Sequence, residues 1–309
     1  MSASENAVRA PGAYNPWLAI AQLLAVGTLW GSTFSVAKYA ISHGVPPLGY
    51  AFWQCFGSGL VLLAILALRR ERLPLGRRQL AFYAMTGALG ITAPNVNFYI
   101  IIQYVPAGLM AVVITTAPIM TFVIALALRM ERLQWLRVLG LLCGFSGALL
   151  LVLQDEVGGE TAGVCGWVLL GFLTPFFYSL NSILTSRWRP AGGSALSFAC
   201  GMMFAAAALQ LPMMLLAGQA WAPLPPFGGA EAAIAVQIAV SATAYIVFFR
   251  LVQLAGPVYF SQVGYVVTLT GILWGMLLFG ERLAPSVYLA AGIIFAGLAL
   301  VNLSKPKAR

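Results

Sequence analysis

Residues 106–133 read PAGLMAVVITTAPIMTFVIALALRMERL, and this stretch determines how the rest of the chain is interpreted. Its first 23 residues, from Pro106 to Leu128, carry no charge. At about 1.5 Å of rise per residue, such a helix is long enough to cross a hydrocarbon core about 30 Å thick. Arg129, Glu131 and Arg132 follow at once, as expected where a helix reaches the membrane–water interface. The stretch therefore predicts a membrane-spanning helix.

The same design returns 150 positions later, at residues 257–283, which read PVYFSQVGYVVTLTGILWGMLLFGERL. The shift places Gln103 on Gln253, Gly147 on Gly297, and the triplet ERL at 131–133 on the triplet at 281–283. The chain is therefore a duplication of a membrane-spanning unit. We predict a first half at residues 16–153, an outer linker at 154–162 and a second half at 163–303.

The composition is that of an integral membrane protein. Hydrophobic residues make up 61% of the chain and charged residues 8%, whereas a soluble domain has about 25% charged residues. The net charge of +9 is assigned to loops that face the cytoplasm, so no nucleic-acid partner is expected. The four cysteines are not spaced as metal ligands or as a disulfide framework. We expect no metal, no cofactor and no catalytic residue.

Hydropathy and turn-forming residues predict an all-α integral membrane protein with ten transmembrane helices. Short connections rich in glycine and proline separate the apolar segments. The predicted spans are Trp17–Ser42, Pro47–Leu68, Leu80–Ile102, Pro106–Leu128, Trp135–Leu153, Gly163–Trp188, Ala195–Ala217, Ala232–Gln253, Pro257–Phe279 and Val287–Leu303.

The distribution of positive charge predicts the orientation of these spans. With the N-terminus in the cytoplasm, fifteen of the 17 lysines and arginines fall on the cytoplasmic side, as the positive-inside rule requires. Both termini are then cytoplasmic, in a multi-pass protein of the inner membrane. Because five is an odd number, the second half crosses in the opposite direction from the first. Inverted repeats of this kind are typical of secondary transporters that work by alternating access.

Several motifs resemble the drug/metabolite transporter superfamily, specifically its EamA-like family. They are LWGSTF at residues 29–34, Pro118 followed by LRMERL at 128–133, and LFGERL at 278–283. The resemblance covers nearly the whole chain and includes the YddG-type exporters of amino acids and metabolites. It implies a non-enzymatic carrier of amino acids or other small metabolites, with export favoured over import.

Polar and aromatic side chains inside the spans predict a substrate cavity. A polar side chain within lipid normally faces the bundle interior or a water-filled cavity, and helical spacing shows which residues share a face. The alternative is interhelical hydrogen bonding, which uses the same residue types. The residues predicted to bind a small-molecule substrate are Trp30, Lys38, Asn95, Tyr99, Thr115, Tyr178, Asn181, Tyr265 and Thr268.

Charges inside the spans are rare. Lys38 either pairs with a substrate carboxylate or extends along its own stem to the outer interface. No Asp or Glu lies in the middle of any predicted span, and a carrier of organic cations usually needs such a carboxylate. The sequence therefore favours neutral, zwitterionic or anionic substrates and offers no embedded proton carrier.

Three residues are predicted to act in gating or as hinges: Pro118, Glu131 and Glu281. Pro118 leaves the carbonyl of Ile114 without its helical donor, whereas Thr268 at the equivalent position of the second half predicts no kink there. The two glutamates either form an ionic latch or organise a tight turn with a surface ion pair worth at most about 1 kcal/mol.

Two rival functions remain open at this point. The segment GFSG at residues 144–147 superficially resembles an intramembrane serine protease motif, but the single histidine, His43, lies in a loop. An accessory or lipid-handling membrane protein is the second rival. Glycines in spans five and ten predict close helix packing, and a homodimer contact through these spans remains open. The lipid bilayer is the other expected partner.

Overall fold

The computed structural model describes residues 16–101, 113–114, 116–153, 165–279 and 285–303. These ranges form helices joined by short turns, and they contain no β-strand. The side chains of Lys38 and Tyr99, the residues Thr115 and Glu281, and the linker 154–162 lie outside the described part of the chain. What was predicted for them stays a prediction.

The helices follow one another without other regular structure. In chain order they are α1 (Pro16–Ser42), α2 (Pro47–Leu68), α3 (Arg77–Gly87), a π-helical turn (Ala88–Thr92), α4 (Ala93–Ile101), α5 (Ala117–Ala127), α6 (Trp135–Leu153), α7 (Cys165–Gly171), α8 (Leu173–Trp188), α9 (Ala195–Leu216), α10 (Gly229–Ala255), α11 (Pro257–Ser261), α12 (Val263–Phe279) and α13 (Pro285–Leu303).

Five helical stretches in the described ranges are long and apolar enough to cross a membrane. Three shorter apolar helices, Ala117–Ala127, Trp135–Gly147 and Gly292–Val301, add to them. The five are Pro16–Ser42, Pro47–Leu68, Ala195–Leu216, Gly229–Ala255 and Pro257–Leu278. A chain with this many apolar helices is an all-helical membrane protein.

Several predicted spans are interrupted near their middle. The π-helical turn at Ala88–Thr92 divides span three, and single turn residues divide span six at Phe172 and span nine at Gln262. In span four, the amide and the hydroxyl of Thr116 both donate to the carbonyl of Val113, at 3.1 and 2.6 Å, directly before Pro118. Proline lacks a backbone amide, and it suits the first turn of a helix because amides there have no acceptor within the helix. The helix α5 therefore starts at this point.

The most extensive helix pairs join the first half of the chain to the second. Among the described helices these pairs are α6–α13, α2–α9, α1–α12, α1–α10, α2–α10, α3–α9 and α5–α8. Under the 150-residue shift, α1, α2 and α6 of the first half correspond to α8, α9 and α13 of the second, and α3 and α5 correspond to α10 and α12. The pair α1–α12 therefore corresponds to α5–α8, and α2–α10 to α3–α9. The pairs α2–α9 and α6–α13 each correspond to themselves. The sequence repeat is therefore also a two-fold repeat of packing.

Loops that the distribution of positive charge assigns to the same side of the membrane lie close together in the structure. At one end, the amide of Leu48 donates to the side-chain oxygen of Gln219 at 3.0 Å, and the indole of Trp53 donates to the carbonyl of Trp221 at 2.6 Å. At the other end, the hydroxyl of Ser194 donates to Glu71 at 2.6 Å. The arginine-rich connection at residues 69–78 therefore lies beside the turn at 189–194.

Glycines bring α6 and α13 into backbone contact. A Cβ built on Gly297 would lie 2.6 Å from the carbonyl oxygen of Gly140, and one built on Gly140 would lie 2.8 Å from the carbonyl oxygen of Gly297. The close packing predicted for spans five and ten therefore occurs between these two spans. A homodimer contact would have to use another face.

Candidate functional site

An aromatic cluster lies where α1, α10 and α11 meet. The ring of Trp30 contacts Tyr245 edge-on, with centroids 5.3 Å apart, and Phe260 with centroids 5.8 Å apart. Phe248 extends the cluster and lies 4.8 Å from Phe260. Edge-to-face pairs are worth about 0.5–1.5 kcal/mol beyond the area they bury. The ring positions are therefore well fixed. Trp30 is half-buried among these rings, and its role in binding substrate stays a prediction.

Tyr178 and Asn181 of α8 add polar groups to the interior. Tyr178 lies near Tyr245 of the aromatic cluster. Asn181 is 4% exposed, and its side-chain carbonyl has no hydrogen-bond partner in the described structure. Its amide lies against Gly90 in the π-helical turn. A buried acceptor without a donor costs about 1–3 kcal/mol, so Asn181 is well suited to accept a hydrogen bond from a ligand.

Three buried glutamines belong to the same interior, and the sequence analysis did not select them. Gln210 in α9 and Gln262 between α11 and α12 are 1% and 0% exposed. The side-chain amide of Gln262 has no partner in the described structure, whereas that of Gln210 lies within hydrogen-bonding reach of the Cys55 thiol. Gln237 in α10 donates to the hydroxyl of Ser241 at 3.1 Å, while its carbonyl has no described partner. Amides within apolar runs were the signal that would have identified them.

Asn97, and not Asn95, joins α4 to α8. The amide of Asn97 donates to the hydroxyl of Thr174 at 2.8 Å and to the carbonyl of Leu170 at 3.1 Å. Asn95 is half-buried and makes no hydrogen bond to a described residue. Regular α-helical spacing would place Thr92 and Asn95 on one face, but Thr92 lies within the π-helical turn. The extra residue in that turn changes the register by about 100°.

The hydroxyls of Tyr265 and Thr268 both donate to backbone carbonyls, Tyr265 to another helix and Thr268 to its own. The hydroxyl of Tyr265 donates to the carbonyl of Leu141 in α6 at 3.0 Å, and its ring packs on Gly144. Thr268 donates to the carbonyl of Gly264 in its own helix at 3.0 Å. These contacts favour interhelical packing for Tyr265, the alternative that the sequence left open. The helix α12 continues without a break through Thr268, as the lack of proline there predicts.

Two of the residues predicted to gate, Pro118 and Glu131, lie in the described part of the chain. Ser179 of α8 donates to the carbonyl of Ala117 at 3.1 Å, next to Pro118, so the break in span four is held by span six. Glu131 accepts a hydrogen bond from Arg137 at 2.6 Å, and their side chains are 22% and 6% exposed. This pair closes the turn between α5 and α6, which favours a local turn-forming role for Glu131 over a latch between halves.

A small cavity lies at the arginine-rich end of the bundle, between the ends of α8 and α10. The guanidinium of Arg189 donates to the carbonyl of Phe249 at 3.2 Å and to Gln253 at 2.7 Å, and it lies 4.6 Å from the ring centre of Phe198. Burial lowers the pKa of Arg189, but arginine begins so high that it stays charged at neutral pH. The cavity has a volume of about 100 Å³ and is lined by Thr185, Ser186, Arg189, Phe249, Val252 and Gln253.

A larger and mainly apolar groove of about 430 Å³ separates the π-helical turn and α4 from α9. Leu209 and Met213 form one wall, and Thr92 and Asn97 lie on the other. The hydroxyl of Thr92 is buried and has no partner in the described structure. The groove therefore combines an apolar surface with a single unsatisfied hydroxyl.

The described residues offer little for catalysis or metal binding. They contain no group of three or more histidine, cysteine, aspartate or glutamate side chains placed to hold a metal ion. Ser146, in the segment that resembles a protease motif, is exposed and donates to the carbonyl of Cys143 in its own helix at 2.9 Å. Glu231, in the first turn of α10, accepts from the amide of Gly228 at 2.8 Å and so caps the helix.

Known proteins resemble this chain over almost its full length. The uncharacterized inner membrane transporter YedA of Escherichia coli K12 is 29% identical over 287 residues, which cover 92% of this chain and 90% of YedA. A probable terminal-alkyne amino-acid exporter of Streptantibioticus cattleyicolor is 23% identical over 279 residues, covering 88% and 89%. A protein of known crystal structure shares the fold, with a TM-score of 0.77, 16% identity and coverage of 93% and 97%.

The family model agrees with the internal repeat. The model of the EamA-like transporter family matches twice, at residues 17–153 and at residues 166–303. Two matches in one chain correspond to the two halves that the ERL triplets predict, and the resemblance stated from the sequence is confirmed. The chain therefore belongs to the EamA-like transporter family and is a multi-pass protein of the inner membrane.

Proposed function

We propose that the protein is a secondary transporter that moves small organic metabolites across the inner membrane by alternating access. In this proposal ten spans form two inverted repeats of five, with both termini in the cytoplasm. The observation that carries the proposal is the two-fold pattern of packing, in which α1–α12 corresponds to α5–α8. Two inverted and similar halves can exchange conformations, and the exchange opens a central site first to one side and then to the other.

The side chains of the described interior favour one class of substrate. Aromatic rings at Trp30 and Tyr245, the unsatisfied carbonyl of Asn181 and the unsatisfied amide of Gln262 suit a compound with an apolar part and several hydrogen-bonding groups. No aspartate or glutamate lies in the middle of a described span, which disfavours organic cations. Amino acids, with aromatic ones included, and similar neutral or zwitterionic compounds fit best. One relative is named an amino-acid exporter, which supports export as the direction.

The test is counterflow into proteoliposomes that contain the purified protein. Labelled amino acids are supplied outside, with and without the same unlabelled compound inside, and with liposomes lacking protein as the control. Saturable uptake that internal substrate accelerates, and that Asn181→Ala reduces at least tenfold, is the expected result. The absence of saturable uptake for every amino acid would contradict the amino-acid proposal.

An accessory or lipid-handling role is the alternative to transport. The same vesicles separate the two functions, because an accessory protein gives no counterflow of any soluble compound. A fluorescent-lipid scrambling assay on those vesicles then tests lipid handling directly. Transbilayer movement of lipid without counterflow would favour the alternative.

A further inference from the structure

The cavity at the end of α8 contains a positive charge without a described counter-ion. Both hydrogen bonds of Arg189 use the same terminal nitrogen, Nη1. A guanidinium has five N–H donors, so the donors on Nε and Nη2 have no acceptor in the described structure. No described carboxylate lies within ion-pair distance of Arg189, and the cavity it lines contains none.

A buried hydroxyl lies in the same cavity. Thr185 is 1% exposed, and its hydroxyl has no hydrogen-bond partner in the described structure. Ser186, the next residue in the cavity wall, contributes a second hydroxyl. Leaving a buried polar group unsatisfied costs about 1–3 kcal/mol. The guanidinium of Arg189 and these two hydroxyls surround an empty volume. Hydrogen-bond donors of this kind are what an oxyanion requires.

Apart from Gln253, whose side-chain oxygen accepts a hydrogen bond from Arg189, the remaining wall is apolar. Phe249 is 0% exposed and Val252 is 2% exposed, and both line the cavity. Their side chains would contact the carbon atoms next to the bound oxyanion. A volume of about 100 Å³ holds a carboxylate with two or three carbons and not a whole metabolite. Thr185, Asn181 and Tyr178 share one face of α8 at helical spacing, and that face leads from the cavity toward the aromatic cluster.

We propose that this cavity is a subsite for the carboxylate of a substrate at the cytoplasmic end of the transport path. Arg189 binds the carboxylate through its fork, Thr185 donates a hydrogen bond, and Phe249 contacts the adjoining carbons. The inference rests on the proposed transport function and narrows its substrate class to compounds that bear a carboxylate. A protonated amine of the same size would be repelled by the charge of Arg189, and a neutral amide would form the weaker hydrogen bonds of an uncharged acceptor.

Saturation-transfer-difference NMR on the full chain in phosphatidylcholine nanodiscs tests the proposal. The probes are propionate, which is small enough for the cavity, and propionamide, which has nearly the same shape without the charge. The propionate signal is expected to fall at least threefold in Arg189→Gln and in Thr185→Val, and to remain partly in Arg189→Lys because the charge is kept and the fork is lost. The signal of propionamide should be weak in all of them.

Arg187→Gln is the matched control, because Arg187 is exposed and lies two residues from Arg189 without lining the cavity. It should leave the propionate signal unchanged. An equal propionate signal in Arg189→Gln and the unmodified protein would overturn the proposal, and so would an equal response to propionamide. Thr185→Val is nearly isosteric, so it still tests the subsite if the arginine variant fails to fold. Propionate binding in a protein without counterflow activity would contradict the transport function and leave the subsite in place.

Discussion

Trp30 of α1 and Tyr245 of α10 meet edge to face, with ring centroids 5.3 Å apart and an angle of 65° between the ring planes. Trp30 belongs to the first half of the chain and Tyr245 to the second. The aromatic part of the proposed site is therefore shared between the halves. A relative movement of the halves would change this contact and the affinity for a substrate that packs on it.

The substitution Trp30→Phe tests the aromatic contact. A substrate ring packed edge to face against Trp30 would gain about 0.5–1.5 kcal/mol, and 1.4 kcal/mol corresponds to a factor of ten. We therefore expect KM in counterflow to rise about two- to tenfold, with little change in the apparent Tm. Trp135→Phe is the control, because Trp135 is 73% exposed and should not affect KM. An unchanged KM in Trp30→Phe would exclude this ring from the site.

Asn181→Leu and Asn97→Leu form a matched pair of substitutions, and we expect them to have different effects on stability. Removing the unpartnered carbonyl of Asn181 relieves a cost of about 1–3 kcal/mol, so stability should stay the same or rise while transport falls. Removing the amide of Asn97, which has two partners, should lower stability by a similar amount. Thermal unfolding in detergent and counterflow in vesicles measure the two effects. A large loss of stability in Asn181→Leu would indicate a structural role.

Gly297→Ala tests the contact between α6 and α13. The added Cβ would meet the carbonyl of Gly140, and backbone cannot move aside as a side chain can. Overpacking of this kind costs about 1–3 kcal/mol, so the apparent Tm should fall. At Gly292 a Cβ would meet nothing within 4 Å, and Gly292→Ala should leave the apparent Tm unchanged or raise it, because alanine favours helix by about 1 kcal/mol. Equal effects at the two positions would contradict the described packing.

Glu131→Gln distinguishes a local turn from a gate. Arg137 is 5% exposed, and losing one carboxylate partner of a buried charge costs more than the roughly 1 kcal/mol of an exposed pair. We expect a lower apparent Tm together with an unchanged transport rate per folded molecule. Arg132→Gln, at an exposed neighbouring arginine, should change neither quantity. A slower rate at an unchanged Tm would instead support the gating role.

Transport is expected to proceed without a pH gradient. The described spans carry no carboxyl group in mid-helix, so the interior has no acid that could take up and release a proton on each cycle. Counterflow of a zwitterionic substrate should therefore have the same initial rate with and without an imposed gradient. A gradient-dependent rate would point to a proton carrier among the residues not described.

Much of the fold follows from the sequence because lipid imposes simple rules. A helix that crosses the bilayer must be long, apolar and free of charge, so the two ERL triplets and the apolar runs before them identify the repeat. Glycine lets two helices approach closely, so the glycines of spans five and ten predict a close helix contact, and Gly140 and Gly297 do contact each other. Helical spacing in span six is also reliable, because α8 is regular from Thr174 to Thr185.

The candidate site follows less completely, because interior geometry depends on details that periodicity misses. The π-helical turn changes the register of span three, so Asn97 takes the interhelical role and Asn95 does not. The break at Gln262 was not expected, since no proline or charge marks it. Tyr265 has the right residue type and spacing for a cavity, yet its hydroxyl is used by the carbonyl of Leu141. Spacing identifies a face of a helix and does not identify what that face contacts.

The packing between halves has an evolutionary consequence. The seven most extensive pairs of described helices each take one helix from each half, so a single half would leave these packed faces uncovered. A single copy of the repeat could have been stable only as a pair of identical chains inserted in opposite orientations. The present gene would then be a fusion of two such subunits, and the two halves produced as separate polypeptides should still assemble into a working protein.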